Sequence, residues 1–213
     1  MNIQEASNST GKYKLGFLAS HEGSNMQAII DACKNGKLKM TPALVISNNA
    51  DSGALKRAMR EDVPNYNWSS IQYPNESELD NKICKTLVRY SVDIVILAGY
   101  MKMIGKEVLM KYAGRILNIH PALLPKFGGK GMFGLNVHKA VIESGETETG
   151  VTVHIVDALY DHGRILNQIK IPVLRDDTPE TLQKRVLKVE HEIYVDTLIK
   201  IVSGEILIKD LNI

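Results

Sequence analysis

Apolar and polar positions along this chain switch repeatedly between two periods. Residues 14–19 (Lys-Leu-Gly-Phe-Leu-Ala) form a short apolar run that ends in Ser20-His21-Glu22-Gly23-Ser24-Asn25. Met26, Ile29, Ile30 and Cys33 then recur at three- and four-residue steps, which predicts one buried helix face, and Gly36 stands where that helix stops. Residues 42–47 predict a second strand, and Asn48-Asn49-Ala50-Asp51-Ser52 leads into a charged helix through Arg60. Residues 64–73 are irregular, with room for one short strand. Residues 76–90 are an amphipathic helix opened by Pro74-Asn75. Residues 93–98 form an unbroken apolar strand, the pattern of a strand covered on both faces.

Beyond Arg115 the style changes. Residues 115–118 are the fourth strand, and a long glycine-rich loop fills 121–134. A helix over 136–143 ends at Gly145. Residues 151–156 and 165–173 alternate like a pair of strands. A long helix over 178–202 precedes a short tail, 204–213, with room for a last strand.

This alternation predicts an α/β fold: a Rossmann-like, mostly parallel sheet with helices on both faces. It forms one domain over residues 13–213 behind a polar tail, 1–12. Right-handed crossovers bring the strand C-terminal ends to one edge, where ligands of such sheets bind. The loops after Ala19, Ser47, Ala98 and Asn118 are therefore expected to converge on one cleft.

Composition narrows the class. The chain has 213 residues, 44% hydrophobic and 23% charged, enough for one sizeable core. A net charge of +2 gives no reason to expect nucleic-acid binding. No window of about 18 uncharged apolar residues is present, so no membrane span is expected. The N-terminus lacks a basic stretch followed by an apolar run, and a cytoplasmic location is expected. Cys33 and Cys84 lie in helix-like segments outside any C-x-x-C pair and are expected to be reduced, structural thiols.

Four groups of residues carry candidate chemistry. The strand-turn-helix at 20–25 offers backbone N–H groups and a helix dipole to an anion, without the G-x-G-x-x-G spacing of a dinucleotide site. Equally, it reads as a helix capped by Ser24 or Asn25. Asn118 and His120 share one side of a strand end by their period of two. An amide donor beside an imidazole suits a developing oxyanion and a moving proton, or is a hydrogen-bonded structural pair. Asp161, in the Asp161-His162-Gly163 turn, brings a carboxylate near them or simply makes a hairpin turn. His154, Asp157 and His162 lie nearby, and the His154-to-Asp161 spacing permits a metal reading that lacks a third ligand of convincing geometry. Glu190 and His191, with Lys184, Lys188 and Glu192, read as a solvated helix face. His138 opens the helix after the glycine loop and reads as structural.

The run Asn118-Ile119-His120-Pro121-Ala122-Leu123-Leu124-Pro125 resembles the hallmark of the folate-dependent formyltransferases. It is joined by Gly23-Ser24-Asn25, Ser47-Asn48-Asn49-Ala50, Leu97-Ala98-Gly99-Tyr100-Met101, Tyr112-Ala113-Gly114 and Asp161-His162-Gly163. Order and spacing are similar to the purine-biosynthetic branch over residues 13–202. The resemblance implies the formyltransferase fold and the reaction. The amine of 5'-phosphoribosylglycinamide would attack the formyl group of 10-formyltetrahydrofolate through a tetrahedral intermediate.

By matched position, Asn118 would stabilise the oxyanion, His120 would move the proton, and Asp161 would hold the water or His120. Gly23, Ser24 and Asn25 would bind the substrate phosphate, and Glu190 its ribose or glycinamide part. Met101, Lys102, Met103, Ile104 and Leu109, with Asp161, would line the folate pocket. The partners implied are small molecules, with no metal, nucleic acid or membrane, in a monomer or homodimer. The first loop departs from the family's Ser-Gly-x-Gly-Ser-Asn at His21 and Glu22, and Glu22 is expected to point away from a phosphate. Lys102 stands where arginine is common, and Lys130 in the glycine loop is a further candidate for the phosphate. A sugar-nucleotide formyltransferase, a formyltetrahydrofolate hydrolase and a non-catalytic phosphate-binding protein of the same fold are the alternatives.

Overall fold

A computed structural model describes residues 13–209. The polar tail expected at 1–12 lies outside the described residues. Seven strands form one sheet in the order β3-β2-β1-β4-β5-β6-β7. β1 (Tyr13–Ala19), β2 (Met40–Ser47), β3 (Asn65–Asn67), β4 (Ile94–Leu97) and β5 (Ile116–His120) pair parallel with one another. β6 (Glu148–Ile155) and β7 (Ile165–Pro172) add an antiparallel edge. The sheet is thus mostly parallel, as the alternating pattern implied.

The helices form where their ends can be satisfied. α2 (Gly53–Arg60) starts at Ser52, whose side chain accepts from the Leu55 N–H. α3 (Glu76–Arg89) starts at Asn75, whose amide oxygen accepts from Ser77 and Glu78. α6 (Pro179–Ser203) starts with a reciprocal Thr178–Thr181 cap and a proline in its first turn. One helix was not foreseen: α4 (Lys106–Lys111) is a six-residue turn whose first amides are taken by Asp80 of α3. Its cap lies far away in sequence, so no local signal announced it. No strand forms over 204–209.

The sheet separates two apolar cores. One packs α1 (Ser24–Lys34), α2, α5 (Leu135–Glu143) and α6 against one face, around Phe17, Met26, Ile96 and Tyr194. The other packs α3 and α4 against the opposite face, around Leu18, Leu87, Val95 and Tyr112. The Tyr194 hydroxyl lies between the Leu97 and Leu117 carbonyls and ties α6 to β4 and β5.

After β1 the chain builds outward through β2 and β3, then returns to the other side of β1 with β4 and β5. That reversal opens a crevice at the carboxyl ends of β1 and β4.

Candidate active site

A cleft of about 660 Å³ occupies this crevice, a size suited to small-molecule ligands. Residues 21–25, 98–102 and 118–121 line it, so three of the four expected loops meet there. The loop after Ser47 does not. β2 lies one strand farther out, and Asn48 meets this edge through Ser20, whose hydroxyl donates to its amide oxygen at 2.6 Å. Asn48 instead lines a smaller cavity of about 350 Å³.

At one pole of the main cleft, Gly23 starts α1 in the left-handed region (φ 68°), and no side chain caps the helix. The alternative of a cap by Ser24 or Asn25 is therefore corrected: both lie inside the first turn, whose backbone donors no side chain caps. The loop's carbonyls are held by α2, with His21 accepting from the Ala54 N–H at 3.0 Å and Glu22 from Arg57 Nε at 2.8 Å. A Cβ on Gly53 would lie 2.7 Å from Glu22 Oε2. The Glu22 carboxylate thus lies against the start of α2.

Asn25 is buried and donates through Nδ2 to Glu190 Oε2 at 2.7 Å, while its Oδ1 has no partner among the described residues. This removes Glu190 from the solvated face on which helical spacing placed it. The residue lines the cleft, and burial pushes its carboxyl pKa up against the pull of the Asn25 amide.

The other pole is built across the antiparallel corner. Asn118 pairs with His154 and His120 with Thr152 in the β5–β6 register, so all four side chains share one face by pleat and pairing. His120 Nε2 lies 2.7 Å from the Phe127 carbonyl. A carbonyl only accepts, so Nε2 carries the hydrogen and Nδ1 is the basic nitrogen. Nδ1 stands 3.6 Å from Asp161 Oδ2. Burial holds the His120 pKa below its usual value, against the Asp161 charge and the Phe127 carbonyl. The resting imidazole is therefore neutral near pH 7, with its lone pair beside a carboxylate ready to stabilise an arriving proton.

Asp161 itself accepts from the Gly129 N–H at 2.9 Å. Burial alone would raise its pKa, but His154, His120 and Gly129 together hold it below the usual carboxylate range. His154 was read as a neighbour of this turn, and it proves to be inside the site. It is buried, with Nε2 3.1 Å from Asn118 Nδ2 and 3.6 Å from Asp161 Oδ1. His162 and Asp157 pair with each other at the surface instead. Among the described residues no group of three or more His, Cys, Asp or Glu is placed to hold a metal.

His138 was read as structural. It is buried yet lines the cleft, its Nδ1 has no partner among the described residues, and burial with the nearby His120 pushes its pKa down to about 4. The only sequence signal was its place just after the glycine loop.

Met101 and Lys102 line the main cleft, while Lys102, Met103 and Ile104 line the smaller cavity beside it. Leu109 lines neither: it sits on α4, packed against the second core. The backbone of Met101 is anchored by its N–H to the Ser20 hydroxyl at 2.8 Å. Lys130 lines the main cleft with the rest of its loop.

An uncapped helix turn, the Asn118 amide and a buried histidine–carboxylate pair meet in one cleft at the edge of a Rossmann-like sheet. Residues 13–198 match the family model for formyl transferase, and the chain belongs to that family. Its relatives carry a more specific name. The protein called phosphoribosylglycinamide formyltransferase in Haemophilus influenzae is 38% identical over 92% of this chain and 91% of its own length. The chloroplastic protein of that name in Arabidopsis thaliana is 40% identical over 92% of this chain and 68% of its own length. The structure of glycinamide ribonucleotide transformylase 1 from Symbiobacterium toebii superposes with a TM-score of 0.86 at 37% identity, covering 99% of this chain and 95% of that one.

Proposed function

We propose that this protein is a phosphoribosylglycinamide formyltransferase, moving the formyl group of 10-formyltetrahydrofolate to the amine of 5'-phosphoribosylglycinamide. The observation that carries this reading is a single cleft with two unlike poles. One pole is the uncapped first turn of α1 at Gly23–Asn25, and the other is the Asn118–His120–Asp161 corner. A phosphate-bearing amine held at the first pole delivers its nitrogen toward the second.

The folate supplies the formyl group when bound. The residues present fit it: Ala98, Tyr100, Met101 and Ile119 give an apolar wall beside the polar corner. Met101, Lys102, Met103 and Ile104 hold the folate on this reading, and Leu109 backs that wall from α4. Asn118 donates through its side-chain amide to the formyl oxygen as charge builds there. His120 takes the amine proton on Nδ1, where Asp161 Oδ2 stabilises the imidazolium, and returns it to the folate nitrogen as the bond between that nitrogen and the formyl carbon breaks, releasing tetrahydrofolate and the formylated amine. Gly23, Ser24 and Asn25 hold the phosphate, and Glu190 faces the ribose or glycinamide part.

The test follows folate absorbance with enzyme and 10-formyltetrahydrofolate, with and without phosphoribosylglycinamide. An amine-dependent change is expected. No such change sinks the reading, and a change without the amine points to a hydrolase. A His120→Ala variant as fast as the unaltered protein would remove His120 from the mechanism.

A further inference from the structure

Asn118 has a problem that its own strand does not solve. Its side chain can turn over, exchanging Oδ1 and Nδ2 at almost no steric cost, yet only the nitrogen end donates to an oxyanion. His154 answers it. The two residues face each other across the β5–β6 register, and His154 is buried. His154 Nδ1 lies 2.9 Å from the Ile155 carbonyl, which only accepts, so Nδ1 carries the hydrogen. Nε2 is then a lone pair, and it lies 3.1 Å from Asn118 Nδ2. A lone pair there attracts the NH₂ end and repels the carbonyl end.

We propose that His154 is a positioning residue: its tautomer, fixed by the Ile155 carbonyl, keeps the Asn118 amide turned so that NH₂ is the end it presents. One N–H of Asn118 is spent on His154. The second has no protein partner among the described residues, and Asn118 lines the cleft. That second N–H is the oxyanion donor. The inference rests on the formyl-transfer reading for its consequence, but its structural half stands on the two hydrogen bonds alone.

Two measurements test it, and they separate its failure from that of the transfer reading. The first uses the intact, ligand-free protein with ¹⁵N-labelled histidine at pH 7. His154 is expected to show a protonated Nδ1 and a bare Nε2. A protonated Nε2 overturns the proposal whatever the protein catalyses.

The second is a kinetic cycle in the transfer assay, with the unaltered protein as the control for the transfer reading. His154→Phe is expected to lower kcat roughly 10–100-fold with little change in either KM, since a donor has lost its orientation rather than a substrate its pocket. His154→Gln, whose Oε1 is able to accept from Asn118, is expected to recover much of that loss. In an Asn118→Ala background, His154→Phe is expected to cost nothing further. An equal loss in both backgrounds shows that His154 does not act through Asn118 and overturns the proposal. If His154→Phe folds poorly, the nitrogen shifts of the unaltered protein decide alone.

Discussion

On the proposed function, the two poles of the cleft solve the same problem, holding negative charge, with different materials. The Gly23–Asn25 pole uses backbone: an uncapped helix turn whose entry angle depends on one left-handed glycine. The Asn118–His120–His154–Asp161 pole uses side chains: two imidazoles are each fixed by a carbonyl, and one carboxylate lies between them. A backbone site binds a charge that is present throughout the reaction. A side-chain site has hydrogens and lone pairs to exchange, so it answers a charge that appears and disappears. Substitutions at the first pole are therefore expected to act on KM, and at the second on kcat.

The largest expected effect falls at the side-chain pole. Asp161 sits at φ 53°, a left-handed conformation that asparagine tolerates, so Asp161→Asn removes the charge and leaves the turn. His120 then loses the partner that stabilises its protonated state. A fall in kcat of about 10³-fold is expected, within the range for a general acid–base group, with KM for the phosphate-bearing substrate within about twofold. A comparable rise in that KM would show that the poles are not separate and break the comparison.

The same contrast explains what was legible in the sequence. The strands and every helix but α4 followed from apolar period, because a parallel sheet buries its strands on both faces and its helices on one. Asn118 and His120 were visible as a pair because period two needs only one strand. His154 was not assigned to Asn118, since their contact depends on the register of an antiparallel pairing across a 36-residue separation. Glu190 was placed on a solvated face by helical spacing alone. That face turns toward Asn25 because α6 packs on α1, which local pattern does not encode. The open first turn of α1 was visible only as one of two readings, because Ser24 and Asn25 are also good capping residues.

The side-chain pole also carries a cost in stability, which sharpens the comparison. His138 is buried beside it, and its pKa is lowered from 6.5 to about 4. Between those values the unfolded chain binds a proton that the folded protein refuses. Stability from this group is therefore complete above about pH 6.5 and is lost as pH falls toward 4. The loss is on the order of 3 kcal/mol, taking roughly 1.4 kcal/mol per unit. Chemical denaturation at pH 7 and pH 4 checks it, with His138→Asn expected to lose less stability between the two. Equal pH slopes for both proteins would mean that burial of this imidazole costs nothing.

The smallest effect is expected at the backbone pole, where it is also the most selective. Gly23 adopts φ 68°, and a Cβ there would lie 2.8 Å from the Ala54 Cβ and 2.9 Å from its Cα. Gly23→Ala thus meets left-handed strain of about 1–2 kcal/mol and a contact that one of the two segments relieves by shifting. Ala54 is itself tied by its N–H to the His21 carbonyl, so the shift is passed into the loop rather than absorbed by α2. The α1 amides tilt while Asn118, His120 and Asp161, across the cleft, keep their places. KM for phosphoribosylglycinamide is expected to rise roughly tenfold, the equivalent of about 1.4 kcal/mol, with kcat at saturating substrate changed less than threefold. Steady-state kinetics with the amine substrate varied at fixed folate resolves the two parameters. A fall in kcat at unchanged KM would place the consequence at the chemistry rather than at phosphate binding, and the division of labour between backbone and side chains would not hold.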